Sequence, residues 1–237
     1  MPTVPVVIAD PMTRWLGRPS TATKVDVLSP GLTRITFEGD ALRNRKWQPG
    51  SEIEFRVSTK DFRHYTPAAF DAEQGWIEVV FQRHGTGPGE SFVERIQVGD
   101  DVLVLGPGGH AWLREGQHHA FAGDASAIGL FQSLLEGLPA TAKTFGVVEV
   151  PAVDVEAAAA LLPGLTVVAE TGRPGEASLA WLTASLPRTP DCAYLAGHAQ
   201  SIQRQRALLC ADALDRPAMR RRDVVTKPFW ADGKSGL

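Results

Sequence analysis

The sequence predicts two domains in succession, an all-β unit of antiparallel strands followed by an α/β unit built on a parallel sheet. Three observations predict it. Between Ser20 and about Leu105, short β-rich runs recur between turn residues, and TRITF and EIEFRV alternate polar and apolar residues with the period of half-buried antiparallel strands. Beyond Gly106-Pro107-Gly108-Gly109 the texture changes to strand and helix in turn, the pattern of a parallel sheet with helices on its faces. A chain of 237 residues, 43% hydrophobic and 22% charged, is large enough for two such units.

In chain order, residues 1–19 are expected to be an N-terminal extension and 20–109 the β unit. Its runs are TKVDVLSP, LTRITFEG, SEIEFRVS, WIEVVFQRH and DDVLVLGP, whose regular spacing is that of a barrel or a sandwich. The GPGG stretch reads as the hinge. Residues 110–237 form the α/β unit. HHAFAGD is a strand running into a turn, and ASAIGLFQSLLEGL is a helix closed by Gly137 and Pro139. KTFGVVEV, LTVVAET and CAYLAGH continue as strands, with VDVEAAAALLP, SLAWLTASLP and SIQRQRALLCADAL as the intervening helices. No internal repeat is present.

Composition excludes several function classes. A formal charge of -3 supplies no basic field for nucleic acid. Two cysteines, Cys192 and Cys210, are too few for a four-cysteine zinc or iron–sulfur site, so no metal site is expected and redox chemistry would need an organic cofactor. No apolar run is long enough to span a bilayer and the start lacks a leader-like pattern, so a cytoplasmic protein with no membrane partner is expected, as a monomer.

Four stretches can carry chemistry. Parallel sheets bind ligands at the carboxyl ends of their strands. In AGDASAIG, Gly123 can let a ligand approach the backbone while Asp124 or Ser126 caps the next helix, although an ordinary strand-to-helix turn would look the same. LAGHAQSIQRQRALL repeats the strand, glycine turn, helix arrangement, and neither stretch is a GxGxxG fingerprint. In RHYT, Arg63 offers a planar cationic fork and Tyr65 lies on the same strand face, which suits a pyrophosphate and a flat ring, although spacing alone favours an edge arginine beside a half-buried tyrosine. HGTGPGESF places glycines before a short helix, an anion site if its N–H groups are free and a plain turn otherwise.

The order of these segments resembles the ferredoxin reductase superfamily, and more finely the siderophore-interacting proteins, which are FAD-dependent ferric-siderophore reductases. Arg63-His64-Tyr65-Thr66 resembles the family's R-x-Y-T flavin motif, His84-Gly85-Thr86-Gly87-Pro88 its H-G-x-G-P loop, and Ala122-Gly123-Asp124 its A-G-D turn. AGHAQSIQRQRALL with KPFWADGKSG is similar to its A-G-E…R-x-x-R-x-x-L stretch and closing Y-W-x-x-G. The resemblance runs from about Thr23 to Gly236 and implies a flavin-binding β-barrel before an NAD(P)H-binding α/β domain.

The resemblance also implies roles. Arg63 would bind the FAD pyrophosphate, Tyr65 would pack on the isoalloxazine, and Thr66 would sit near flavin N5, with His64 inside the motif. His84, Gly85, Gly87 and the helix start at Gly89, Glu90 and Ser91 would hold the remaining phosphate and the adenosine side. Gly123 and Asp124 would flank the nicotinamide nucleotide, Gly197, Ser201 and Arg204 its other half, and Trp230 would lie in a tail over the flavin. Arg56, Arg114, Lys227 and Lys234 are the candidate cations for an anionic acceptor. No side chain need act as a strong acid or base.

Three departures stand out. Pro67-Ala68-Ala69 stands where the family often has an arginine, Ala196-Gly197-His198 replaces A-G-E, and Glu52-Ile53-Glu54-Phe55-Arg56 stands where a lysine commonly attracts the siderophore. The implied function is transfer of electrons from NAD(P)H through FAD to a ferric siderophore or other small ferric chelate, releasing ferrous iron. The alternatives are a general NAD(P)H flavin reductase, an electron-transfer reductase for a protein partner, and a non-catalytic flavin- or siderophore-binding module. Arg173, Arg204 and Arg206 are equal candidates for a 2′-phosphate.

Overall fold

In the computed structural model, which describes residues 16–83, 85, 87–109, 113–212 and 217–234, seven strands build the first unit. They are β1 (Gly17–Ser29), β2 (Leu32–Glu38), β3 (Glu52–Arg56), β4 (Phe62–Tyr65), β5 (Ala69–Asp71), β6 (Trp76–Gln82) and β7 (Asp101–Gly108), all antiparallel, in the order β4-β3-β7-β1-β2-β6-β5. Alternation works as expected: Thr33, Ile35 and Phe37 of β2 and Ile53 and Phe55 of β3 are buried, while Arg34, Thr36 and Glu54 between them are partly covered; Leu32 is also buried, at the start of β2. Phe37, Phe55 and Phe81 meet at ring separations of 4.9, 6.0 and 6.4 Å in the centre of the unit.

The expected barrel is barrel-like but not closed, because β4 and β5 remain sheet edges. Both are short, and Pro67 between them has no N–H to donate to a ladder. Two smaller expectations change. β1 begins at Gly17, inside the stretch assigned to the extension, because Gly17 pairs with Leu105. Gly106 to Gly108 is no hinge: it completes β7, with Gly108 opposite Glu52. Gly106 has φ 126°, and a Cβ there would lie 2.8 Å from the Glu52 carbonyl oxygen, so the glycine allows the β3 backbone to come close. Between β6 and β7 runs helix α1 (Pro88–Arg95).

The second unit holds five parallel strands, β8 (His118–Asp124), β9 (Lys143–Val150), β10 (Thr166–Ala169), β11 (Cys192–His198) and β12 (Val224–Trp230), in the order β10-β9-β8-β11-β12. Helices α2 (Ile128–Glu136), α3 (Val155–Leu161), α4 (Glu176–Ala184) and α5 (Ala199–Leu209) connect or follow them. Ala120, Ala122, Val147, Leu182, Ala193, Leu195 and Ile202 form its core. β12 has no counterpart among the expected strands: Lys227 and Pro228 hide it in the sequence, and the sheet edge is where a proline is tolerated. The strand order reverses between β8 and β11, which makes their carboxyl ends the topological switch point where such sheets bind ligands. By contacts, Gln132–Gly137 group with the first unit, and the second comprises Trp112–Phe131 and the chain from Leu138 on. Among the described residues no helix is long and apolar enough to cross a membrane.

Candidate functional site

The first constellation lies in the β unit. Cross-strand pairing sets Tyr65 opposite Ile53 and Arg63 opposite Phe55, so both predicted side chains share the strand face that is lined by the core. The Tyr65 ring packs 4.7 Å from Phe81 and 5.8 Å from Phe55, fixing its plane. Burial pushes its hydroxyl up to about 12, partly offset by the Arg63 charge and reinforced by Glu90. One nitrogen of Arg63 donates to the Phe62 carbonyl at 2.9 Å, and the rest of the fork makes no hydrogen bond or ion pair to the described residues.

Helix α1 meets this pair at its N-terminus. Gly87 caps it without a side-chain bond, Pro88 has no N–H, and the first intrahelical bond runs from Ser91 N–H to the Gly87 carbonyl at 3.2 Å. No hydrogen bond from a described residue claims the N–H groups of Gly89 and Glu90. A Cβ on Gly89 would stand 3.2 Å from the Tyr65 hydroxyl oxygen and 3.9 Å from Arg63 Cγ, whereas one on Gly85 or Gly87 would touch nothing. Helix start, tyrosine and arginine thus converge beside an open loop.

A flavin dinucleotide fits this donor set. Its phosphates suit the arginine and the free N–H groups, its ring the fixed aromatic face, and its hydroxyls the side chain of Glu90, which the resemblance named only as part of the helix start. Glu90 accepts from Arg83 through Oε1 at 3.0 Å, but its buried Oε2 has no partner, an orphan that a ligand hydroxyl would satisfy. Thr66 is buried to 7% exposure and its hydroxyl likewise makes no hydrogen bond to the described residues. Ser91 lies half-buried in the first turn of α1.

Other predicted residues are placed elsewhere. His64 belongs to the opposite face of β4, with Nδ1 3.5 Å from Glu54 Oε1 and 4.0 Å from Glu52 Oε2, so it is not part of the seat. Arg56 donates to the carbonyls of Ser58, at 3.2 Å, and Thr59, which fastens it to its own turn. His84 lies outside the described residues.

In the second unit the carboxyl end of β8 is occupied by its own chemistry. Asp124 Oδ1 accepts from Ser126 N–H at 2.9 Å and from the Ser126 hydroxyl; Oδ2 accepts from His198 N–H at 2.7 Å and Trp230 Nε1 at 3.0 Å. Burial raises the Asp124 carboxyl above its ordinary range, against the pull of these donors. Its lone pairs are spent on holding β8, β11 and β12 together, so it is not free to face a nucleotide as the sequence suggested. The glycines serve the same end. A Cβ on Gly123 would lie 2.6 Å from the Ala196 carbonyl oxygen, and one on Gly197, at φ 109°, would collide with the Asp124 carboxylate.

Trp230 stacks on His198 with ring centres 4.2 Å apart and an interplanar angle of 29°. Ser201 and Arg204 build a loop: the Ser201 hydroxyl donates to the Pro174 carbonyl at 2.8 Å, and Arg204 donates to the same carbonyl and to Ser201 Oγ at 3.2 Å. Sequence reasoning missed Glu149, which is buried near the end of β9 and accepts from Gly175 N–H at 2.9 Å and Ser178 N–H at 2.8 Å, capping α4 from another strand. Only the fold brings these groups together.

The three candidate cations of the second unit do not share a site. Arg114 lines a cleft of about 770 Å³ with Thr189, Cys192, Arg220 and Asp223 at the amino ends of β8, β11 and β12. Lys234 follows the carboxyl end of β12, the other side of the sheet, and Lys227 sits within that strand.

Comparison with known proteins agrees with this architecture. The profile of the siderophore-interacting FAD-binding domain matches residues 56–111, and that of the siderophore-interacting protein matches 116–233. A curated relative, the ferric vibriobactin reductase ViuB of Vibrio cholerae, is 34% identical over 90 residues, 37% of this chain and 33% of the relative. The chain thus spans about a third of the length of the curated relatives it matches. A siderophore utilization protein from T. fusca has the same fold, with a TM-score of 0.77, 23% identity, and coverage of 93% of this chain and 95% of the other. Phthalate dioxygenase reductase shares the fold more distantly, with a TM-score of 0.69 and 14% identity over 92% of this chain and 70% of that one. From the flavin motif to the closing strand, the chain belongs to the siderophore-interacting protein family.

Proposed function

We propose that this protein is a flavoprotein reductase that carries electrons from NAD(P)H through FAD to a ferric siderophore or another small ferric chelate, releasing ferrous iron. The observation that carries the reading is the convergence of Arg63, Tyr65 and the uncapped start of α1. Support also comes from the family's FAD-binding domain, from the ferric reductase named among the relatives, and from a fold neighbour described as moving electrons from pyridine nucleotides.

When bound, FAD would supply the redox chemistry, taking two electrons and passing them on singly. The chain's residues bind and orient. Arg63 and the N–H groups of Gly89 and Glu90 would hold the pyrophosphate by charge-assisted hydrogen bonds. Tyr65, immobilised by Phe55 and Phe81, presents an aromatic surface to the flavin ring and keeps water from it. Glu90 Oε2 would accept from a cofactor hydroxyl, and the family resemblance would set the Thr66 hydroxyl near flavin N5.

Arg63→Ala is the direct test. Losing a charge-assisted contact costs about 1.5 to 3 kcal/mol, so FAD affinity should fall roughly ten- to a hundredfold. Affinity unchanged within a few-fold, measured by fluorescence titration, would place the pyrophosphate elsewhere.

A general NAD(P)H flavin or electron-transfer reductase is favoured over the siderophore enzyme by one feature. The outer face of the β3–β4 pair carries Glu52, Glu54 and His64, and Arg56 is fastened to its own turn, so this face offers no free cation to an anionic chelate. Steady-state rates decide between them: a ferric siderophore reduced no faster than free flavin, cytochrome or dye selects the general reductase.

A further inference from the structure

The cleft of about 770 Å³ at the amino ends of β8, β11 and β12 has the size of a small-molecule site. Strands β8 and β11 have seven residues each, which sets the cleft roughly 20 Å from their carboxyl ends, where parallel sheets take nucleotides. One wall is fixed residue by residue. The Arg114 N–H donates to the Tyr194 hydroxyl at 2.9 Å, the Glu115 carbonyl accepts from Cys192 Sγ at 3.3 Å, His119 Nε2 lies 3.0 Å from the Gly116 carbonyl, and the Gln117 N–H donates to Asp191 at 2.8 Å. The backbone of four consecutive residues is thus held by side chains from the amino ends of β8 and β11.

The charges that line the cleft balance in number but not in bonding. Of its carboxylates, Asp191 accepts from the N–H groups of Gln117 and His118 at 2.8 and 2.9 Å, which hold it below the usual carboxylate range, and Asp223 Oδ2 accepts from Arg220 Nε at 2.7 Å. Only the exposed Glu115 side chain makes no hydrogen bond to the described residues. Of its cations, Arg114 makes none through its side chain, and Arg222 Nε stands 3.9 Å from Asp223 Oδ1, too far for a hydrogen bond. Arg188, 3.0 Å from His118 Nε2, and Arg221 adjoin the cleft, so five guanidinium groups gather near three carboxylates in a chain of formal charge -3. The base is uncharged: Met219 is buried, and burial pushes the Cys192 thiol up, with Asp223 and Asp191 adding to the effect and Arg114 opposing it.

We propose that this cleft is a second binding site, for a small dianion held between Arg114, from the loop before β8, and Arg222, from the turn before β12. The shared chemistry is two negative charges on oxygen, as a phosphate monoester or a dicarboxylate carries them, which the planar guanidinium forks match. A single charge would satisfy one fork and leave the other unused, whereas two satisfy both. An extended polyanion such as a nucleic acid would meet Glu115 and Asp191. The ligand would brace the loops that enter β8 and β12 and stabilise the folded chain by mass action. The site is independent of the reductase reading, because none of its residues belongs to the flavin seat or to the carboxyl ends of the sheet.

The experiment titrates the full chain with inorganic phosphate, succinate and formate by calorimetry at constant ionic strength, for the native protein and for Arg114→Gln, Arg222→Gln and Glu115→Gln. At least one of the two dianions should bind and formate should not. Phosphate without succinate identifies a phosphate monoester as the ligand class, and succinate without phosphate a dicarboxylate. Loss of a charge-assisted fork predicts about tenfold weaker binding in R114Q and in R222Q, and removal of the neighbouring carboxylate predicts roughly threefold tighter binding in E115Q. No binding of either dianion, formate binding as tightly as they do, unchanged affinity in R114Q and R222Q, or weaker binding in E115Q would overturn the site. All three substitutions alter exposed side chains, so a folding defect does not mask the outcome. None touches the flavin seat, so this test and that of Arg63→Ala fail independently.

Discussion

In the β unit, Gly85 and Gly87 stand in open space, where a Cβ would touch nothing; in the α/β unit, a Cβ on Gly123 would press on the Ala196 carbonyl and one on Gly197 would strike the Asp124 carboxylate. Both pairs occur in glycine turns that lead into helices. Among the described residues, the first leaves N–H groups and most of the Arg63 fork without partners, and the second spends Asp124 on four donors. Glycine in one place keeps the backbone accessible, and in the other lets protein groups come closer than a side chain would permit. Unclaimed donors are what a ligand can use.

Gly197→Ala tests the closed turn and should have the largest effect. Strain at φ 109° and the clash with Asp124 together predict about 3 kcal/mol of destabilisation, seen as a lowered midpoint in chemical denaturation. An unchanged midpoint would mean that Asp124 can move away freely. The tyrosines sharpen the contrast at smaller scale, since the chain has only two, one in each unit. The Tyr194 hydroxyl accepts from Arg114 N–H at 2.9 Å, whereas that of Tyr65 makes no hydrogen bond to the described residues. Tyr194→Phe should therefore cost about 1 to 2 kcal/mol, and Tyr65→Phe about 0.5 kcal/mol or less in the FAD-free protein. Equal losses in the two variants would erase the distinction between a spent and an unspent hydroxyl.

The last effect is one of pH, and it is absent near neutrality. Burial pushes both tyrosines up to about 12. Each folded-state value lies above the unfolded value of about 10, so their contribution to stability is complete below pH 10 and is lost as pH rises from 10 through 12. The phenolate absorbance of the folded protein should stay flat around pH 10 and appear there only on unfolding. A rise near pH 10 without unfolding would show that one ring is reached by solvent.

Local pattern made much of this protein legible. Period-two alternation in TRITF and EIEFRV follows directly from the geometry of a half-buried strand, and the switch to alternating strand and helix follows from how parallel sheets are connected. The pairing of Arg63 with Tyr65 on one face was legible for the same reason. β12 was not, since Lys227 and Pro228 interrupt its apolar run and only its place at the sheet edge makes them acceptable.

The sequence by itself determined the two-part fold class and the strand faces, because these depend on spacing along one element; it offered Arg63, Tyr65 and the α1 start as a flavin seat through the family resemblance. Only the tertiary structure decided which of those residues are free. Asp124 and Ser201 have the chemistry of ligand contacts but are spent on Trp230, His198 and Pro174, partners distant in the chain. Glu90 Oε2 is left without a hydrogen-bond partner among the described residues. Availability for a ligand is what remains after long-range hydrogen bonds and close approaches have been made, and no local pattern encodes that remainder.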